Sequence, residues 1–281
     1  MRWKRGYQST NVEDRRRTSG RGRRTAGIGL GGFLILLLLS FLFKENFFAL
    51  LDPSMIDGGG ASVGPAGDVP FQTTPEEEEL VQFISFVLDD VQSTWAEVLP
   101  GYRNTRLVLF RDAIQSACGF AQAATGPFYC PADQKVYIDL GFYSELKRRF
   151  GAPGDFAQAY VLAHEIGHHV QNLLGIEGQV RQAQGTNPGR SNELSVRMEL
   201  QADCFAGVWG AYAAKRGLLE EGDVEEGLNA AAAIGDDRIQ RMSTGYVNPD
   251  GFTHGSSQQR VTWFRKGLAS GDPEVCDTFS Q

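Results

Sequence analysis

The chain has no CxxC pair among its four cysteines (Cys118, Cys130, Cys204 and Cys276), which argues against a zinc ribbon or a thioredoxin-like site. It has no internal repeat at a fixed period, which excludes a solenoid array. Positive charge is missing from most of its length. Residues 1–25 hold nine of the 27 Lys and Arg side chains against only Glu13 and Asp14, so the rest carries 18 basic against 32 acidic side chains. A body that acidic is a poor partner for a polyphosphate backbone, and no nucleic acid is expected. Histidine is scarce too: His164, His168, His169 and His254 are all there is, and three of them fall within six residues.

The 281 residues suffice for one sizeable domain plus a tail. Ala26–Phe43 is the one long uncharged apolar run. As a helix it spans about 27 Å, close to the hydrocarbon thickness of a bilayer. It is too long for an ordinary signal-peptide core and is not closely followed by a small-residue cleavage site, so it reads as an uncleaved signal anchor. The basic block before it predicts a cytoplasmic N-terminus and a body outside the cytoplasm, facing the periplasm. The expected organisation is a solvated basic cytoplasmic tail over 1–25, a single transmembrane anchor over 26–43 that contacts the lipid bilayer, a Gly/Pro-rich flexible stalk over 44–73, and a folded domain over 74–281.

Thr74, Pro75 and Glu77 supply an N-cap, a first-turn proline and a capping-box acid. Leu80, Ile84, Val87, Val91, Trp95 and Val98 then recur at helical spacing. Thr105–Phe110 and Lys135–Leu140 read as strands. Helical patterns follow over roughly 155–174, 192–216, 222–240 and 257–269. Few strands and many helices predict an α+β domain dominated by helix.

Inside the 155–174 helix the sequence reads His164-Glu165-Ile166-Gly167-His168-His169. Residues four apart leave the same helix face, so the imidazoles of His164 and His168 can share one zinc ion. Glu165 lies beside that metal and can take a proton from the water it activates. His169 points off this face, toward packing or solvent. A catalytic zinc takes three protein ligands and keeps one position open. Glu199, in Arg197-Met198-Glu199-Leu200-Gln201-Ala202-Asp203 on the next long helix, is the expected third, because an acid in an otherwise apolar helix needs a partner. Glu193 is the alternative. Asp203, one turn on, can accept a ligand histidine's second N–H and fix its ring.

HEIGHH followed by ELQADCFAG resembles the bacterial putative neutral zinc metallopeptidase family, gluzincin-like membrane proteins. The resemblance extends over the basic N-terminus and apolar run, ACGFAQAATGPFYCPADQKVYIDLGFY at 117–143 and GFTHGSSQQRVTWFRKG at 251–267. It implies a zincin-like fold behind one transmembrane helix, zinc on His164, His168 and Glu199, and Glu165 as the catalytic acid–base group. His254 is either a loop residue before a helix capped by Ser256 and Gln259, or a donor to the reaction's oxyanion, as similar histidines are in other gluzincins. Thr253-His254 followed by Arg260 also resembles the Thr-His-Pro segment of membrane-bound HExxH peptidases, with Gly255 in place of the proline.

The function expected is zinc-dependent hydrolysis of peptide bonds in protein or peptide substrates at the outer face of the membrane. The alternatives are a membrane-tethered scaffold with a structural zinc, or an amidase acting on cell-wall peptides. Four cysteines allow three pairings. Cys118 and Cys130 flank a Gly126-Pro127 turn, and export favours oxidation, so the expected disulfides are Cys118–Cys130 and Cys204–Cys276. The sequence leaves the oligomeric state open.

Overall fold

The computed structural model describes residues 1–17, 73–123 and 126–280. Helix α1 (Pro75–Val98) begins where its signals place it, with the Thr74 hydroxyl accepting from the Glu77 N–H. The capping box stays half-made, because the Glu77 carboxylate turns to Arg111 and Arg16 instead. The apolar stripe of α1 (Phe83, Ile84, Val87, Leu88, Val91, Trp95) is buried to 3% exposure or less and faces the core.

A four-stranded sheet has the order β1-β2-β6-β5. Strands β1 (Val12–Asp14), β2 (Arg106–Phe110) and β6 (Lys135–Asp139) run parallel, and β5 (Phe128–Cys130) closes one edge antiparallel to β6. Alternation along the strands divides their side chains. Leu107, Leu109, Val136 and Ile138 enter the main core, while Val108, Phe110, Tyr137 and Cys130 form a smaller cluster on the other face. Strands β3 (Ala113–Ser116) and β4 (Gly119–Gln122) form a separate hairpin. Its Ile114 packs on the smaller cluster, and the Cys118–Cys130 disulfide staples it to β5.

Helices α2 (Gly141–Arg148), α3 (Asp155–Leu173), α4 (Ile176–Thr186), α5 (Ser191–Lys215), α6 (Asp223–Ala233), α7 (Asp236–Thr244) and α8 (Ser257–Ser270) build the rest of the described chain, an α+β fold dominated by helix. Helix α8 starts with the complete Ser256/Gln259 capping box. The single helix expected over 222–240 is instead two, broken at Ile234–Gly235. There the Asp236 N–H donates to Gly255 O, and a β-carbon on Gly235 would collide with Ser257.

Glycines set how closely α5 meets its neighbours. A β-carbon on Gly207 or Gly267 would fall on the carbonyl of Phe264 or Cys204, so α5 and α8 cross backbone to backbone. One on Gly167 of α3 would lie 3.1 Å from both Cα and O of Ala202 on α5. The Cys204–Cys276 disulfide ties α5 to the C-terminal segment.

The largest departure from expectation is at the N-terminus. Residues 1–17 are part of the fold, where a solvated tail was expected. The Val12–Asp14 strand pairs with β2, Trp3 packs edge-on to Phe83, and the Met1 ammonium donates to Asp155 at 2.8 Å. Arg16, 3% exposed, is held by Asp14, Glu77 and Glu78. A strand in this sheet lies on the same side of any bilayer as the sheet. A cytoplasmic N-terminus with the domain across the membrane is therefore incompatible with this packing. The expected anchor (26–43) and nearly all of the stalk (44–73) lie outside the described residues. Among the described residues no helix is long and apolar enough to cross a membrane.

Two predictions follow from this packing. Partial burial alone would raise the Glu13 carboxyl, but Lys135, Arg15 and Arg106 outweigh it and hold it at about 2. The pKa is depressed, so this stabilisation is complete above the ordinary value near 4.5 and is lost as pH falls toward 2. Hydrogen exchange should show the amides of 12–14 losing protection across that window, and Glu13→Gln should abolish the dependence on pH. Gly167→Ala gains about 1 kcal/mol in helix propensity but overpacks the α3–α5 crossing at about 1–3 kcal/mol. Urea titration should show a net loss of up to about 2 kcal/mol. A variant more stable than wild type would mean that α5 yields freely.

Candidate metal centre

His164 and His168 lie one turn apart on α3, and Glu199 approaches from α5. The nearest donor atoms of the three lie within 4.8 Å of one another. Glu199 Oε2 is 3.1 Å from His164 Nε2, and Glu199 Oε1 is 3.5 Å from His168 Nε2. Tetrahedral donors at about 2.0–2.1 Å from a zinc ion are roughly 3.3 Å from one another. The two imidazole–carboxylate spacings bracket that value, and two imidazoles with one carboxylate are a donor set zinc accepts, so the residues fit the ion.

Both rings are oriented from behind. His164 Nδ1 donates to Asp203 Oδ1 at 2.8 Å, and His168 Nδ1 donates to Gln171 Oε1 at 2.8 Å. Each Nε2 is thereby the ring nitrogen that faces Glu199 and the one that would offer its lone pair to a metal once its proton is released. Asp203 is completely buried. It also accepts from Tyr160 Oη at 2.5 Å and from Arg260 Nε and Nη2, both at 2.8 Å. Burial alone would lower the His164 pKa, but the Asp203 and Glu199 carboxylates outweigh it and push it up to about 10. Burial likewise opposes ionisation of Glu199, yet His168 and His164 hold its carboxyl below the usual range. The electrostatics of the trio thus favour a positive charge among these groups.

The trio opens on a cleft of about 1300 Å³. Glu165, 8% exposed, lines the cleft beside His164 and His168. His254 lines it as well, with half its side chain accessible. Its Nδ1 lies 3.2 Å from Asp236 Oδ1 and 3.0 Å from the Thr253 hydroxyl, so Nε2 remains for a ligand. The other Asp236 oxygen accepts the backbone N–H groups of Thr253, His254 and Gly255, which fixes the loop. The Asp236 hydrogen bond raises the His254 pKa against the effect of burial, and Glu199 adds to the rise.

The structure leaves the other candidates elsewhere. Glu193 pairs with Arg190 and Arg197 on the exposed first turn of α5. His169 is buried between Tyr102 and Tyr129, with Nδ1 at 2.9 Å from Tyr129 Oη and Nε2 at 2.6 Å from Arg103 O. A second convergence of acids, Asp155, Asp223 and Glu226, surrounds the Met1 ammonium. Sequence reasoning missed Asp236, Gln171 and the buried role of Arg260. Gln171, three residues after His168 on the same helix, carried a local signal; the other two meet their partners only through helix crossings.

The chain is 47% identical over 292 aligned positions to "Uncharacterized protein YpfJ" of Escherichia coli (strain K12), covering 100% of this chain and 99% of that protein. It is 47% identical over 204 positions to "Uncharacterized protein Rv2575" of Mycobacterium tuberculosis (strain H37Rv) and to "Uncharacterized protein Mb2605" of Mycobacterium bovis, covering 68% of each chain. No solved structure matches it. The family described as "Putative neutral zinc metallopeptidase" matches residues 1–279, and with that coverage the chain belongs to this family.

Proposed function

We propose that the chain is a zinc-dependent endopeptidase in which His164, His168 and Glu199 hold the metal, Glu165 moves the proton and His254 stabilises the oxyanion. The observation that carries this reading is the convergence of two imidazole Nε2 atoms and one carboxylate at zinc-donor spacing, with Glu165 beside them on an open cleft. A purely structural zinc would sit in a closed site, commonly with cysteine ligands; here all four cysteines are in disulfides.

A bound zinc supplies Lewis acidity, lowering the pKa of water to about 7 and polarising a carbonyl. The protein's own groups do the remaining work. Glu165 takes the proton of the attacking water and returns it to the leaving amine. His254, oriented by Asp236, donates from Nε2 to the oxygen of the attacked carbonyl as charge develops there. Asp203 holds His164 in the tautomer that offers Nε2. The substrates are proteins or peptides able to enter the cleft. The two disulfides support action in an oxidising compartment outside the cytoplasm.

Glu165→Gln is expected to keep stoichiometric zinc and to lose hydrolysis of unfolded protein by about 10²–10⁴. Activity within tenfold of wild type in the purified variant would remove Glu165 from the mechanism. Glu199→Ala should lose zinc while keeping its fold. Asp203→Asn should bind zinc about 10–100-fold more weakly, and should also unfold earlier because Arg260 loses its buried counter-charge. Metal analysis and thermal melting of the two variants separate these effects, and tight zinc in Glu199→Ala would place the third ligand elsewhere.

A further inference from the structure

Asp203 orients His164, but His168 is held by a different chain of groups. Its Nδ1 donates to Gln171 Oε1 at 2.8 Å. The Gln171 amide nitrogen donates to Met198 O at 2.7 Å and to Gln201 Oε1 at 3.0 Å, and Gln201 Nε2 donates to Cys276 O at 3.0 Å. Gln171 is 0% exposed and Gln201 5% exposed, so neither amide has water as a substitute partner. Each is satisfied only by this arrangement.

The far end of the chain is fixed. Cys276 is bonded to Cys204, one turn beyond Gln201 on α5. The segment after it lies along the same helix: Thr278 Oγ1 donates to Arg197 O at 2.8 Å, and Arg197 Nη1 donates to Thr278 O at 3.1 Å and Phe279 O at 3.0 Å. Arg197 and Gln201 are the residues two before and two after Glu199. The C-terminal segment therefore grips the turn of α5 that carries Glu199 on both sides, and reaches His168 through two amides.

We propose that the C-terminal segment Cys276–Phe279 is a brace for the metal centre, acting through the positioning residues Gln201 and Gln171 to set the His168 tautomer and the His168–Glu199 spacing. The inference rests on reading His164, His168 and Glu199 as the metal site. Neither glutamine reaches the cleft, so their effect falls on metal affinity. An acceptor fixed at Nδ1 keeps the proton there and leaves Nε2 to bind. A glutamine suits this role only if its own two N–H groups are occupied, since otherwise the amide could flip and present a donor to the ring. Met198 O and Gln201 Oε1 occupy them, and Cys276 O fixes Gln201 in the same way.

The test uses the full chain with zinc alone as the probe. Zinc affinity is measured by chelator competition, and the His168 tautomer by ¹⁵N NMR of chelator-treated protein. Wild type should bind one zinc and show the Nδ1–H form. Gln171→Met, similar in volume and without amide groups, should bind zinc about 10–100-fold more weakly and lose the Nδ1–H preference. Gln201→Met and the Cys204→Ala/Cys276→Ala pair should each weaken zinc less, and should add little to Gln171→Met, because all three interrupt one path. A Gln171→Met protein with wild-type affinity or tautomer would overturn the brace while leaving the metal site standing. Full additivity of Gln171→Met and Gln201→Met would do the same. If Gln171→Met does not fold, wild-type affinity and tautomer in both Gln201→Met and the cysteine variant overturn it. Wild type that binds no zinc overturns the metal site itself, and the brace with it.

Discussion

The arrangement of the centre depends on one buried carboxylate. Asp203 has no exposed surface and is shared by His164 from α3 and Arg260 from α8, with Tyr160 as a further donor. An isolated carboxylate in such a place is too costly to remain ionised. Arg260, whose own side chain is 2% exposed, supplies the compensating charge through two hydrogen bonds. Asp203 sits behind the cleft, while Arg260 and the His164 imidazole that Asp203 orients line it. Three helices are fixed relative to one another by this contact, so the metal centre and the helical core are a single structural problem.

That contact is possible because the helices approach so closely. Arg260 reaches Asp203 from the first turn of α8, which requires α8 to lie on α5 without side chains between them. Gly207 and Gly267 provide that crossing. Gly167 does the same between α3 and α5, and it lies inside HEIGHH, one residue before His168. A motif usually read for its histidines and glutamate thus also contains the residue that lets Glu199 come within 3.5 Å of His168.

What could be seen in the sequence was what is local. The four-residue spacing of His164 and His168 determines a shared face without any tertiary information. Glu199 and Asp203 stood out as acids in an apolar helix, and the structure brings both to His164. Ser256 and Gln259 announced a helix start and form it. The long-range partners carried no comparable signal. Arg260 looks like any arginine on a polar helix face, yet it is buried. Asp236 begins a helix that periodicity had merged with its predecessor, and the break is visible only where Gly235 meets Ser257. Apart from Gln171, which sits on the helix of the histidine it holds, the residues that hold ligands from behind meet them only through tertiary contacts, which have no sequence period.

The N-terminal segment fails for a related reason, with a larger consequence. Val12–Asp14 is too short to show a strand's alternation, and the arginines around it resemble a topology signal. Beyond the local pairs of Arg15 with Glu13 and Arg16 with Asp14, the partners that tie the segment down are 60 or more residues away: Arg16 meets Glu77 and Glu78, and Glu13 meets Lys135 and Arg106. Surface ion pairs of this kind contribute little singly, but Arg16 is almost fully enclosed, and an enclosed guanidinium without acids would be strongly unfavourable. The acids at the start of α1 therefore serve two purposes, favourable placement at a helix N-terminus and neutralisation of Arg16. Among the described residues, Arg2, Arg5, Arg15 and Arg16 of that basic block are instead charge-matched to acids of the folded body. A segment so matched goes where the domain goes, so residues 1–17 and the disulfide-bonded domain share one compartment.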